Sequence, residues 1–256
     1  MADFIITTRP EPDASLDVDW LRRYKVAAIA IPVMRVEQQS FDLQDKPSLQ
    51  AIIFTSRHAV AAIAGVDSFD KVATLAALRS LPVFAVGRRT ALAARRAGFD
   101  HVTTGPGDGN ALVPLVVANL NPNAGDILWP SASLISFDIA SRLVDFGYSV
   151  RQIPVYGMVA TRHINNDLLA RLKDCSSAAV VTMSARSMEL FSQMLNNSQF
   201  EGYRKRITVI ASSKAIAATA GSGWADIIVA KAPRRSRVLA IATFIYHRRG
   251  KVPRAL

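Results

Sequence analysis

The sequence predicts an α/β fold made of two parallel-sheet domains with five strands each. Three observations carry this. Short apolar runs alternate with amphipathic stretches of helical period, the pattern of strands buried on both faces and covered by helices. The two halves of the chain also overlay. Residues 5–33 match 127–155 at an offset of 122, residues 52–56 match 180–184 at 128, and residues 83–87 match 208–212 at 125. Finally, Ile-Pro-Val occurs once in each copy, at Ile31-Pro32-Val33 and Ile153-Pro154-Val155.

Residues 4–8 give the first strand, followed by a loop at Arg9-Pro10-Glu11-Pro12. A helix over 14–24 places Leu16, Trp20 and Leu21 inward. Residues 27–33 are the second strand, and the polar stretch 38–48 reads as loop. A strand over 51–55 leads to Ser56, at the cap of a helix that begins at Ala59. Strand 82–86 turns at Gly87 into a helix over 88–97, which Gly98 closes. Strand 101–104 precedes the loop Gly105-Pro106-Gly107-Asp108-Gly109 and a helix over 110–120. Strand 127–129, a serine-rich loop at 130–133 and a helix over 135–146 follow. The strand over 150–160 is succeeded by helix 165–173, strand 178–182, helix 185–195, strand 207–211, helix 213–220, strand 226–230 and helix 234–246. Five strands per copy is the count of a flavodoxin-like sheet. If the first two strands join the last three, the domains are 1–35 plus 160–256 and 38–153. Residues 34–37 and 154–159 then form a two-stranded interdomain linker.

Half of the residues are apolar, enough to bury two cores. There is no charged, apolar and small-residue leader and no run of about 18 apolar residues, so a cytoplasmic protein without membrane contact is expected. The single cysteine, Cys175, excludes an internal disulfide and reads as a small packing residue. The net charge of +11 is uneven. Residues 1–121 carry 13 basic and 12 acidic side chains, and residues 122–256 carry 18 and 8. Residues 230–256 hold eight basic residues and no acid, a solvated end or a nonspecific contact for nucleic acid. A positive protein also attracts a polyanionic small molecule.

The chemistry of such a sheet lies at the carboxyl ends of its strands. The loops there are rich in Ser, Thr, Gly and Arg, and each precedes a helix N-terminus suited to carboxylates or phosphates. The candidate binding residues are Arg9, Ser56, Arg57, Gly87, Arg88, Ser131, Ser184, Ser212, Ser213 and Lys214. Ordinary helix capping by the serines is the competing reading. No Gly-x-Gly-x-x-Gly follows the first strand and no Walker loop is present, so no nucleotide motif exists. The glycines at 105, 107 and 109 have another spacing. His58, His101, His163 and His247 show no metal-ligand spacing. A cofactor-free, metal-free site built on anion-binding loops is what remains. Tyr156, just past Pro154, is the candidate acid.

The order Thr8-Arg9-Pro10, Phe54-Thr55-Ser56 with Ala59-Val60, Val86-Gly87 with Thr90-Ala91, Gly98-Phe99 and Val155-Tyr156 resembles uroporphyrinogen-III synthase over about residues 3–245. The resemblance implies two flavodoxin-like domains joined by a two-stranded ladder. It implies cyclisation of hydroxymethylbilane, with its eight carboxylates, to uroporphyrinogen III in haem biosynthesis, with loss of water and no cofactor. It also implies that Tyr156 and Thr90 face the cleft, that the protein is a monomer, and that it contacts the preceding pathway enzyme transiently. Two stretches depart from the family pattern. Ala211-Ser212-Ser213-Lys214-Ala215 replaces Gly-Pro-Ser/Thr-Thr-Ala, and Pro130-Ser131 stands where Arg-Gly is frequent. A two-domain binding protein or sensor for an acidic small molecule is the alternative from another class.

Overall fold

The computed structural model describes residues 2–42, 48–65, 75–161 and 166–248. The chain runs β1 (Ile5–Thr7), α1 (Asp13–Arg23), β2 (Ala28–Ala30), β3 (Met34–Gln38), β4 (Leu49–Phe54), α2 (Arg57–Ala64), β5 (Val83–Ala85), α3 (Arg88–Arg96), β6 (Val102–Thr104), α4 (Gly109–Val117) and β7 (Asp126–Ala132). It continues α5 (Ile139–Val144), β8 (Val150–Ala160), α6 (Asn166–Asp174), β9 (Ala178–Thr182), α7 (Ala185–Met194), β10 (Ile207–Ala211), α8 (Lys214–Ala218), β11 (Asp226–Val229) and α9 (Arg235–His247). Two compact units result: Met1–Arg35 with Val159–Leu256, and Val36–Met158.

In the first unit the strand order is β11-β10-β9-β1-β2, so the first two strands join the last three. The pairs are parallel, with Ile6 opposite both Ile29 and Val180. Neighbouring strand residues serve opposite faces. Ile6 and Val180 pack with Leu168, Leu172, Met188 and Phe191 of α6 and α7. Ile5 and Val181 pack with Val18 and Leu21 of α1 and Val238 and Leu239 of α9. That two-sided demand is why these strands are continuous apolar runs.

In the second unit the order is β3-β8-β7-β4-β5-β6. Ile52 and Phe54 pack under α2, while Ile53 and Trp129 pack against α4 and α5. Strands that overlay in sequence hold the same places in the two sheets. β7, β8, β4 and β5 stand where β1, β2, β9 and β10 stand, and β6 stands where β11 does, with β3 added outside β8.

Several local expectations need correction. Leu16 is 51% exposed, and the buried stripe of α1 is Ala14, Asp17, Val18 and Leu21. Asp17 is tolerated there because Thr7, Arg9 and Arg235 all donate to its carboxylate. The helix expected over 135–146 starts only at Ile139, where the Asp138 side chain accepts the Ser141 N–H. Pro130 and Ser131 belong to β7 and not to a loop, because β7 continues to Ala132 against β8. The helix start at Asn165, His163 and the tail 249–256 lie outside the described residues.

Candidate functional site

At the carboxyl edge of the second unit's sheet, the loops after β4, β6 and β7 enclose a cavity of about 450 Å³. Thr55 and Ser56 come from the end of β4, and Gly107 to Asn110 from the start of α4. Trp129 and Tyr156 come from β7 and β8. Leu134, Ile135 and Phe137 follow β7 and make an apolar wall.

Tyr156 owes its position to an irregularity in β8. Ser131 pairs with Pro154, and the next pair is Ala132 with Tyr156, so Val155 is the extra residue of a β-bulge. Pro154 has no N–H to waste at this break in the ladder. Consecutive residues of a regular strand face opposite sides. Here Val155 and Tyr156 both join the core beneath α2. The Tyr156 ring lies 5.7 Å from that of His58, and the residue is 8% exposed. Its hydroxyl has no protein partner among the described residues.

Ser56 caps α2, its Oγ accepting the His58 N–H at 3.1 Å, which leaves the hydroxyl proton available. Thr55 is likewise left a proton, because its Oγ1 accepts from Trp129 Nε1 at 3.3 Å. Asp108 caps α4 through the Ala111 N–H, so the N–H groups of Gly109 and Asn110 are first-turn donors without helical acceptors. The glycines of this loop are required by their surroundings. A Cβ on Gly105 would come within 2.9 Å of two carbonyl oxygens, Gly107 has φ +118°, and a Cβ on Gly109 would fall 2.5 Å from Phe137. The sequence signal for this wall was the Gly-x-Gly-x-Gly spacing itself. Gly87 precedes α3, and a Cβ there would lie 3.2 Å from the Gly107 backbone.

The other candidates distribute as follows. Arg57 and Arg88 open α2 and α3 without lining the cavity, and Thr90 is buried in the first turn of α3. Ser131 is 1% exposed, donates to the Ala132 carbonyl and accepts from Gln152 Nε2, so its hydroxyl is occupied within the sheet. In the first unit, Ser184 caps α7 and Ser213 caps α8, while Lys214 opens α8 and is exposed. Ser212 is buried, its N–H donating to Thr182. All four follow β9 or β10 on that unit's carboxyl edge. Arg9 follows β1 there but is held by Asp13 and Asp17.

Burial pushes the Cys175 thiol above its ordinary range, partly offset by Arg206, and its S–H points to the Leu172 carbonyl. It is a packing residue and not an activated nucleophile. Among the described residues no His, Cys, Asp and Glu cluster could hold a metal ion, and no helix is long and apolar enough to cross a membrane.

No curated protein matches the chain in sequence. Among solved structures, it is similar to uroporphyrinogen-III synthetase from Helicobacter pylori, with a TM-score of 0.64 and 18% identity over 96% of this chain and 100% of that one. It is also similar to a mutant uroporphyrinogen-III synthase from Thermus thermophilus, with a TM-score of 0.51 and 15% identity over 98% of this chain and 100% of that one. At these identities the likeness establishes the fold. The family model described as Uroporphyrinogen-III synthase HemD matches residues 18–240. The chain therefore belongs to the uroporphyrinogen-III synthase family.

Proposed function

We propose that the protein is a uroporphyrinogen-III synthase, a cyclising lyase that converts hydroxymethylbilane to uroporphyrinogen III with inversion of ring D. Family membership supports the reaction. The observation that carries the chemistry is the Tyr156 hydroxyl, on a side chain 8% exposed, lining a cavity whose rim is built from helix starts. The phenol gives its proton to the departing hydroxyl, the C–O bond breaks and water leaves. The adjacent pyrrole nitrogen delocalises the charge as an azafulvenium cation. The substituted α-carbon of ring D then attacks, giving a spiro intermediate; its bond to the ring C methylene breaks, the free α-carbon of ring D bonds to that methylene instead, and the proton lost there returns to the phenolate. Uncatalysed closure already occurs and gives the symmetric isomer, so the enzyme works mainly by positioning. A general acid contributes on the order of 10²–10⁴-fold.

Ser56, Gly87, Arg57 and Arg88 in one unit, and Ser184, Ser212, Ser213 and Lys214 in the other, are the substrate-binding residues of this reading. Thr90 supports the acid. The roles assigned by sequence to Arg9 and Ser131 are less favoured, since ion pairs hold Arg9 and the Ser131 hydroxyl is used within the sheet. Each unit is a flavodoxin-like domain, supported by the repeated strand order, and residues 34–37 and 154–159 are the linker. The protein acts without a cofactor, as a cytoplasmic monomer, and meets the preceding pathway enzyme transiently. Incubation with freshly made hydroxymethylbilane, followed by separation of the isomers, tests the reading. Type III in excess over the uncatalysed control is expected. Type I alone, at the uncatalysed rate, sinks it.

A further inference from the structure

We infer that the cavity in Val36–Met158 is a one-ring subsite that grips the hydroxymethyl-bearing terminal pyrrole by its face, and that Leu134 and Phe137 set its affinity. This rests on the synthase reading and deepens it.

Size comes first. The cavity measures about 450 Å³. A linear tetrapyrrole with eight carboxylates has about sixty non-hydrogen atoms, roughly twice a drug-sized ligand that a pocket of this class encloses. One substituted ring fits, and the whole chain of rings does not.

The lining has two kinds of wall. Leu134, Ile135, Phe137 and Trp129 are apolar, as the face of a heteroaromatic ring requires. Opposite chemistry stands at Thr55, Ser56, Gly109 and Asn110, whose hydroxyls and first-turn N–H groups suit the ring's acetate and propionate. Two capped helices, α2 and α4, start at this cavity. The independent pointer to a ligand is Tyr156, more than nine-tenths buried and with a hydroxyl that no described residue satisfies. Leu134 is 90% exposed on the cavity rim, where a ring face would cover it. Phe137 packs against Gly109, which ties the apolar wall to the donor wall. Because the acid lines the same cavity, the ring held there is the one that loses its hydroxyl.

Trp129 at the cavity supplies a readout that does not depend on turnover. In the full chain, Trp20→Phe with Trp224→Phe leaves it as the only indole. A monopyrrole bearing one acetate and one propionate is titrated in, and emission is followed. A saturable change is expected, weakened about tenfold or more by Leu134→Asp or Phe137→Ser and unchanged by Leu92→Ser, an exposed leucine outside the cavity. In turnover of the four-ring substrate, Leu134→Asp should raise KM about tenfold with kcat within about threefold. A monopyrrole that leaves Trp129 unchanged, or that binds Leu134→Asp as tightly as the parent, overturns the subsite even if type III is still made. Absence of type III from the parent enzyme defeats the synthase reading instead.

Discussion

Tyr156 is a residue whose chemistry depends on what it does not touch. Its ring lies 5.7 Å from that of His58, tilted by 49°, and its hydroxyl meets no hydrogen-bond acceptor among the described residues. Tyr156→Phe should slow turnover by about 10²-fold, toward the lower bound for a lost general acid, because a bound water or a substrate carboxyl can replace it in part. The product should remain mainly type III, and Thr90→Ala should be milder. Rate and isomer ratio, with circular dichroism as the folding control, check both; a parental rate in folded Tyr156→Phe removes the phenol from the mechanism. Asp17 is the opposite case, fully buried and bound by Thr7, Arg9 and Arg235. Asp17→Ala leaves two guanidinium groups without their shared anion and should cost about 3 kcal/mol, read as a lowered urea midpoint. These partners show why Arg9 looked like a substrate cation in the sequence. A cation beside a helix start reads the same whether it faces a ligand or an aspartate four and eight residues on.

The elements were legible in proportion to how local their causes are. Strands such as Ala178–Thr182 declare themselves because burial on both faces demands five apolar or small residues in a row. The bulge at Val155 was not legible, since it exists only as a mismatch against β7. Nor was the reason for Gly109, which lies in Phe137, 28 positions downstream. The late start of α5 follows from Asp138, whose carboxylate takes both the O–H and the N–H of Ser141. The Ser141 hydroxyl, then its backbone N–H, hold the Asp138 carboxyl below its ordinary value of 3.8. A depressed folded pKa stabilises above the unfolded value and is lost as pH falls through the folded one. Asp138→Asn should therefore lessen stability at neutral pH and flatten the stability profile below about pH 4, a small effect at so exposed a site, measured by denaturant titration across pH. Deleting Val155 removes the extra residue and leaves Tyr156 opposite Ala132, on the face that Ile153 already serves, so β8 should still pair and activity should persist. Val155→Ala, which keeps the count, should likewise retain the isomer outcome; a folded but inactive deletion variant would show that the bulge itself aims the phenol.

At the scale of the molecule, the second unit carries its own two-sided core, with helices on both faces of a six-stranded sheet. A fragment spanning Val36–Met158 should fold alone with a cooperative thermal transition, followed by circular dichroism. A disordered fragment would falsify independent folding. The pattern of repeats made this organisation readable, because the overlay of the two halves depends on order and spacing and survives the loss of any single motif. The first unit carries a consequence of its own. Where its chain departs and returns, the Thr161 N–H donates to the Val33 carbonyl at 2.9 Å. The chain thus leaves and re-enters at neighbouring points, as text does around a parenthesis. Everything between the brackets is grammatically optional: two or three glycines can span neighbouring strands about 5 Å apart. Arg35 joined to Val159 by such a bridge should yield a soluble, folded miniature of the first unit. The long detour through the sequence would then be an addition to that unit and no part of what makes it fold.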